Sequence, residues 1–234
     1  MNTVLQKHIK QIGQAYDQTV DNFQKGVKDQ DLLPYKFKIS EEYQKFVQSN
    51  YSSNSGEISI KNFLNPQKGM NYLDVGSCAN LINHKLYLWP STYFGIDISK
   101  KLIQSSKNFI QKNNLTIGGL FQTEVIKLPF QDNFFQIISC IGVLEYFDKS
   151  YSVKAFRELN RVLKPYGKMV LDFPNLNNPD VKTMFELEAY LGRPRYNLPS
   201  LKTFQTELEK LFIIQKTDDT SIMIKYYLMS KKLQ

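Results

Sequence analysis

The feature that most narrows what this chain can fold into is a pair of apolar runs. The first is Tyr72-Leu73-Asp74-Val75-Gly76-Ser77-Cys78-Ala79-Asn80 and the second Tyr93-Phe94-Gly95-Ile96-Asp97-Ile98-Ser99. The first closes on an acidic residue and a glycine, the second on an aspartate about twenty residues later, the spacing at which a doubly wound α/β sheet offers a nucleoside to two strand ends. A glycine at a strand-to-helix turn has no Cβ, so the chain can turn tightly and a ligand can pack on the backbone. A carboxylate at the next strand end can accept from both hydroxyls of a ribose. Dinucleotide enzymes want three glycines in the first turn. Cys78 and Asn80 stand at the second and third of those positions, which argues for a mononucleoside cofactor instead.

The rest of the chain keeps the alternation of strand and helix. Apolar residues at Leu5, Ile9, Ile12, Tyr16, Val20, Phe23 and Val27 predict an amphipathic helix over 4–27. It either covers a ligand site or completes the core or an oligomer interface. Residues 34–60 carry five aromatics in no clear period, and the polar run 52–56 reads as a loop. Strands are expected at 70–75, 93–97, 119–123, 135–141 and 168–173, with helices at 100–112, N-capped by Ser99, and at 152–163. Residues 174–199 read as irregular or weakly helical, and so long a connection is where function concentrates. Segments 211–216 and 222–229 read as an antiparallel pair closing the sheet.

With these motifs in order, the chain resembles the class I S-adenosylmethionine-dependent methyltransferases, in the group that includes the ubiquinone and menaquinone C-methyltransferases. The resemblance runs from about Leu64 to Met229. It is carried by Leu73-Asp74-Val75-Gly76-Ser77, by Gly95-Ile96-Asp97-Ile98-Ser99 and by Glu124-Val125-Ile126-Lys127-Leu128-Pro129-Phe130 with Asp132-Asn133-Phe134-Phe135. Gly142-Val143-Leu144-Glu145-Tyr146 and Arg161-Val162-Leu163-Lys164-Pro165-Tyr166-Gly167-Lys168 complete the set. The resemblance implies an α/β fold: a Rossmann-like, seven-stranded sheet, mostly parallel with an antiparallel C-terminal strand, and an N-terminal helical cap. Residues 1–62 would be that cap or lid, and 63–234 the methyltransferase domain with a cap insertion around 174–200.

The same resemblance implies S-adenosyl-L-methionine as cofactor, S-adenosyl-L-homocysteine as product and a small-molecule methyl acceptor with an O, N or C nucleophile. It assigns Asp74, Gly76, Ser77 and Cys78 to the methionine-side turn, Asp97 and Ile98 to ribose and adenine, and Glu124 with Val125 to the adenine edge. In place of Glu124 and Val125 the family more often has a Gly-Asp pair. Tyr146 would face the acceptor, where the family often has His, and would orient a substrate rather than act as base. Asp172 and Asn175, leaving the fifth strand, are further pocket candidates, and His84 reads as a surface or packing residue.

Cys78 and Cys140 are expected to face one another across the cofactor cleft, either as apolar packing residues or as a thiol pair that binds a soft metal or responds to redox state. Two cysteines make no disulfide framework, which fits a reducing compartment. The N-terminus lacks a secretory apolar segment and no run reaches the roughly eighteen apolar residues of a membrane span, so the expectation is a cytoplasmic protein. The formal charge of +8 is spread over scattered lysines, which argues against nucleic acid as a partner; Arg193-Pro194-Arg195-Tyr196 is the one compact basic feature. Two other functions remain open at this stage. One is a silent scaffold subunit, suggested by the altered glycine turn, and the other an RNA methyltransferase using that basic feature. The oligomeric state is not legible.

Overall fold

The computed structural model describes residues 3–50, 55–77 and 80–232. Seven strands form one sheet: β1 (Asn71–Val75), β2 (Thr92–Asp97), β3 (Gly119–Gln122), β4 (Phe135–Cys140), β5 (Leu163–Pro174), β6 (Phe212–Asp218) and β7 (Met223–Ser230), in the order β3-β2-β1-β4-β5-β7-β6. β1 pairs parallel with both β2 and β4, while β7 runs antiparallel to β5 and β6. The expected doubly wound sheet with an antiparallel C-terminal strand is therefore the fold. Strand order reverses between β1 and β4, and in open α/β sheets that switch point opens a crevice beyond the carboxyl ends of the strands.

The central strands are apolar because helices cover both faces. Leu73 and Val75 of β1 pack into the larger core with Ile138, Cys140 and Leu171, while Tyr72 points into a second cluster with Trp89, Tyr93 and Ile137. The helices are α1 (Thr3–Gln24), α2 (Tyr35–Lys38), α3 (Glu41–Asn50), α4 (Ser55–Leu64), α5 (Asn80–Asn83), α6 (Lys100–Lys112), α7 (Lys149–Val162), α8 (Asp180–Tyr190) and α9 (Leu201–Glu209). Side-chain caps start four of them; Ser40 Oγ accepts from Tyr43 N–H on α3 (3.3 Å). Ser99 Oγ accepts from Leu102 N–H on α6, Asp148 Oδ1 from Tyr151 N–H on α7 and Ser200 Oγ from Thr203 N–H on α9. Among the described residues no helix is long and apolar enough to cross a membrane.

Two expectations need correction. Residues 174–199 contain a regular helix, α8, which follows Pro179 and buries Val181, Thr183 and Met184. Val181 and Met184 pack against Leu33, Phe37, Tyr43 and Phe46, so the aromatic stretch without a period and α8 are each other's partner. The polar run expected as a loop over 52–56 also differs, since Ser55 and Gly56 open α4; positions 52–54 lie outside the described residues.

Candidate active site

A cleft opens at the switch point, walled by Val75 and Gly76 after β1, by Ile96, Asp97 and Ile98 after β2, and by Thr123 and Val125 after β3. Gly142, Val143, Tyr146 and Phe147 close it from the β4 side, and Ile12 and Tyr16 of α1 lie across it. Gly76 has φ +70°, and a Cβ there would lie 2.4 Å from Val143 Cγ2. Both facts require glycine. Ser77 N–H donates to Ile96 O (2.9 Å), which ties the turn to the end of β2.

Asp97 is buried, with Oδ1 accepting from Ser99 N–H (2.8 Å). It leaves the role of carboxylate at the α6 N-terminus to Asp17 of α1, whose Oδ1 accepts from Ser99 Oγ (2.6 Å) and Lys101 N–H (2.9 Å). Helix α1 is thus fastened to the very turn that presents Asp97. At Gly13 the helix lies directly on Ile98, where a Cβ would sit in ordinary contact with Ile98 O at 3.4 Å. Val125 is buried in the cleft wall, and Glu124 beside it borders an adjoining groove with Gly13 and Gln14. Glu124 Oε2 is buried and has no hydrogen-bond partner. The loop that follows is anchored to α7 by Arg161, which donates to Leu128 O and Phe130 O and pairs with Glu158 and Asp132.

Asp74 does not wall the cleft. Its side chain accepts from Tyr93 Oη (3.0 Å) and Ser139 Oγ (2.7 Å), and Ser139 Oγ also bonds Tyr72 Oη (2.7 Å). Burial pushes its carboxyl up to about 6. Ser77 is also buried behind the turn. Cys140 is fully buried with its thiol pushed well above the ordinary value by burial, an inert packing residue of the core. Cys78, and with it the expected thiol pair, lies outside the described residues. Asn175 turns away toward the β6–β7 turn, donating to Asp219 O and Ser221 O, and His84 is exposed.

Tyr146 does meet the cleft. Its hydroxyl donates to Glu188 Oε2 (2.9 Å) and pairs with Tyr16 Oη (3.0 Å); burial, then the neighbouring Glu145, pushes the phenol well above its ordinary value. Behind it lies a group of acids, of which the sequence reading puts forward only Asp172. The Glu145 carboxyl is pushed up to about 8 by burial and by Asp172 and Glu188, and that of Asp172 to about 7 by burial. Asp172 Oδ1 accepts from Gly142 N–H (2.8 Å), so it shapes the loop after β4 rather than facing the cleft. Glu145 borders a recess with Tyr146, Phe185, Glu188, Arg193 and Arg195. Arg193, singled out as part of a basic surface feature, is only 5% exposed and spends its charge on Asp29 and Glu188. Nothing local could have signalled this, because its partners lie on other elements.

Residues 73–171 match a family model described as a methyltransferase domain. Among curated relatives, the ubiquinone biosynthesis O-methyltransferase of Coxiella burnetii is 29% identical over 111 residues, 47% of this chain and 46% of the relative. The match thus spans about half the length of that relative. Among solved structures, a protein of Pyrococcus horikoshii superposes with TM-score 0.64 at 18% identity, covering 83% of this chain and 93% of its own. The geranyl diphosphate C-methyltransferase of Streptomyces coelicolor, solved with S-adenosyl-L-homocysteine, superposes with TM-score 0.62 at 12% identity over 82% and 85% of the two chains. At those identities the two superpositions speak for the fold.

Proposed function

We propose, for a chain that belongs through residues 73–171 to the class I S-adenosylmethionine-dependent methyltransferases, that it transfers the methyl group of S-adenosyl-L-methionine to an oxygen, nitrogen or carbon of a small-molecule acceptor. The observation that carries the reading is the meeting of Gly76 and Asp97 at one crevice, a turn with no room for a Cβ beside a buried carboxylate at the next strand end. The residues present fit the cofactor. Gly76 leaves space for its amino-acid end, Asp97 has the acceptor atoms for a ribose diol, and Ile98 and Val125 offer apolar surfaces to an adenine ring. Glu124 Oε2, buried and without a partner, supplies the acceptor that the adenine amino group needs. Asp74 and Ser77 then support the turn from behind.

The cofactor, when bound, supplies an electrophilic methyl group and its own leaving group. What remains for the chain is to align the acceptor, exclude water and take up a proton where the acceptor has one to lose. Ile12, Tyr16 and Phe147 make the crevice apolar. Tyr146, its phenol held neutral by burial, positions the acceptor by shape and by its hydroxyl. Glu145 borders the recess behind Tyr146 rather than the crevice; burial pushes its carboxyl up to about 8, so near neutral pH it mostly holds a proton and only its ionised fraction can take one from the acceptor. Helix α1, which crosses the crevice, and the segment around 174–200, which packs on residues 33–46, act as the lid under which the acceptor is held. Two of the similar proteins are named for ubiquinone biosynthesis and for geranyl diphosphate, which favours a lipophilic acceptor.

A thermal unfolding scan with S-adenosyl-L-homocysteine tests the reading. At about a hundredfold over its dissociation constant a ligand adds about 2.7 kcal/mol, which raises the midpoint of a chain this size by roughly 5 to 10 °C. No shift at millimolar ligand would turn the assignment toward a scaffold subunit with a lost site.

A further inference from the structure

We propose that Arg193 is a positioning residue, the latch that holds α1 closed over the crevice and thereby sets Tyr16 against Tyr146. One guanidinium joins three elements. Nη2 donates to Thr19 Oγ1 on α1 (3.2 Å) and to Asp29 Oδ2 in the turn of 3-10 helix after it (2.9 Å), and Nη1 donates to Glu188 Oε2 on α8 (3.2 Å). Its Cζ also lies 4.4 Å from the centre of the Tyr16 ring, a cation–π contact with a residue of the cleft wall. The oxygen of Glu188 that Arg193 holds is the one that accepts from Tyr146 Oη, and Tyr146 Oη meets Tyr16 Oη. Removing the guanidinium therefore loosens α1 and the Tyr146 hydroxyl together.

The chemistry suits a latch that must release. Ile12 and Tyr16 lie over the crevice and α1 backs directly onto Ile98 at Gly13, so lifting α1 widens the way in and out for a cofactor. A roof held by apolar packing alone would resist lifting in proportion to the area exposed. A buried ion pair behaves differently, because water repays much of the lost attraction once both groups are hydrated. Arg193 also keeps one buried group unsatisfied, its Nε–H, so the closed arrangement is not its best-solvated state. Such a contact fixes where α1 sits when closed and costs little to open.

The inference rests on the proposed cofactor site for its consequence but not for the latch itself, and the experiment separates the two. Hydrogen exchange would be followed on the ligand-free protein and on Arg193→Met, comparing α1 amides with those of β4, alongside the dissociation rate of S-adenosyl-L-homocysteine by stopped flow. The expected result is α1 exchange at least about tenfold faster with β4 unchanged, and ligand release faster by a similar factor. Arg193→Lys should fall between, since an ammonium keeps the charge but not the three-way fork. Should Arg193→Met fail to fold, Asp29→Asn removes one partner with little change in shape and is expected to move α1 exchange in the same direction. Unaltered α1 exchange in these variants would overturn the latch. Faster exchange in a protein that binds no S-adenosyl-L-homocysteine would keep the latch and reject the cofactor reading.

Discussion

At the scale of single residues, two positions decide whether the crevice is a cofactor site. Asp97→Ala removes the buried carboxylate that lines the cleft at the end of β2. Loss of a buried charge-assisted hydrogen bond is worth about 1.5 to 3 kcal/mol, so affinity for S-adenosyl-L-homocysteine should fall by about tenfold to a hundredfold in a calorimetric titration. Unchanged affinity would remove Asp97 from the site. Gly76→Ala puts a methyl 2.4 Å from Val143 Cγ2 at φ +70°. The left-handed backbone alone costs about 1 to 2 kcal/mol, so the variant should unfold at lower denaturant and bind less well. Both residues were legible because their roles follow from local spacing and backbone conformation. Asp74 shows the limit of spacing. It sits at the expected position of β1, but alternate residues of a strand face opposite sides, and its side chain joins Tyr93 and Ser139 instead of the crevice. Asp74→Ala should therefore cost about 1 to 3 kcal/mol in stability, from the loss of the hydrogen bonds that the buried Tyr93 and Ser139 hydroxyls donate to it, with a smaller effect on ligand affinity than Asp97→Ala.

At the scale of elements, α1 is the piece that links the sheet to the site. Its apolar period announced a helix, and the helix is there, but the period reports only that one face is buried. What the face covers is set by contacts that skip most of the chain: Asp17 caps α6, 82 residues away, and His8 Nε2 donates to Tyr146 O across 138. Helix α8 was missed for the same reason, since its buried residues are chosen by the 33–46 segment rather than by its own pattern. Six of the strands, by contrast, were legible almost to their ends, because a strand covered on both faces is written as an unbroken apolar run; β5 begins five residues earlier than expected, at Leu163, where Pro165 and Gly167 read as a helix stop. The seat of α1 gives a prediction of its own. Gly13→Leu should hold α1 off Ile98, where a Cβ already reaches contact at 3.4 Å, and weaken ligand binding by about tenfold, roughly 1.4 kcal/mol, while Gly13→Ala, whose added Cβ falls at ordinary contact distance, should not. Equal affinity in the two variants would mean that α1 does not roof the bound cofactor.

At the scale of the molecule, the cluster of acids beneath the crevice should set how stability depends on pH. Asp74 at about 6, Asp172 at about 7 and Glu145 at about 8 all lie above the ordinary values of 3.8, 3.8 and 4.5, mainly through burial. Each is protonated in the folded state over a range where it ionises in the unfolded chain. Folding therefore binds protons between about pH 4 and pH 8, and the stability these three groups contribute is complete below pH 4 and lost as pH rises through their folded values. Glu158, Glu207 and Asp218 are shifted downward by cationic or hydroxyl partners and act in the other direction, but they are largely solvated and weigh little. The net expectation is greatest stability on the acid side of neutrality, with urea midpoints falling from about pH 5 to pH 8. Asp172→Asn should flatten that slope, because an amide keeps the acceptor for Gly142 N–H and has no proton to lose. Urea midpoints that rise steadily to pH 8 would mean that these carboxyls are ionised in the folded protein. In that case Glu145 would stand as a carboxylate near neutrality, free to take a proton from the acceptor without first losing its own.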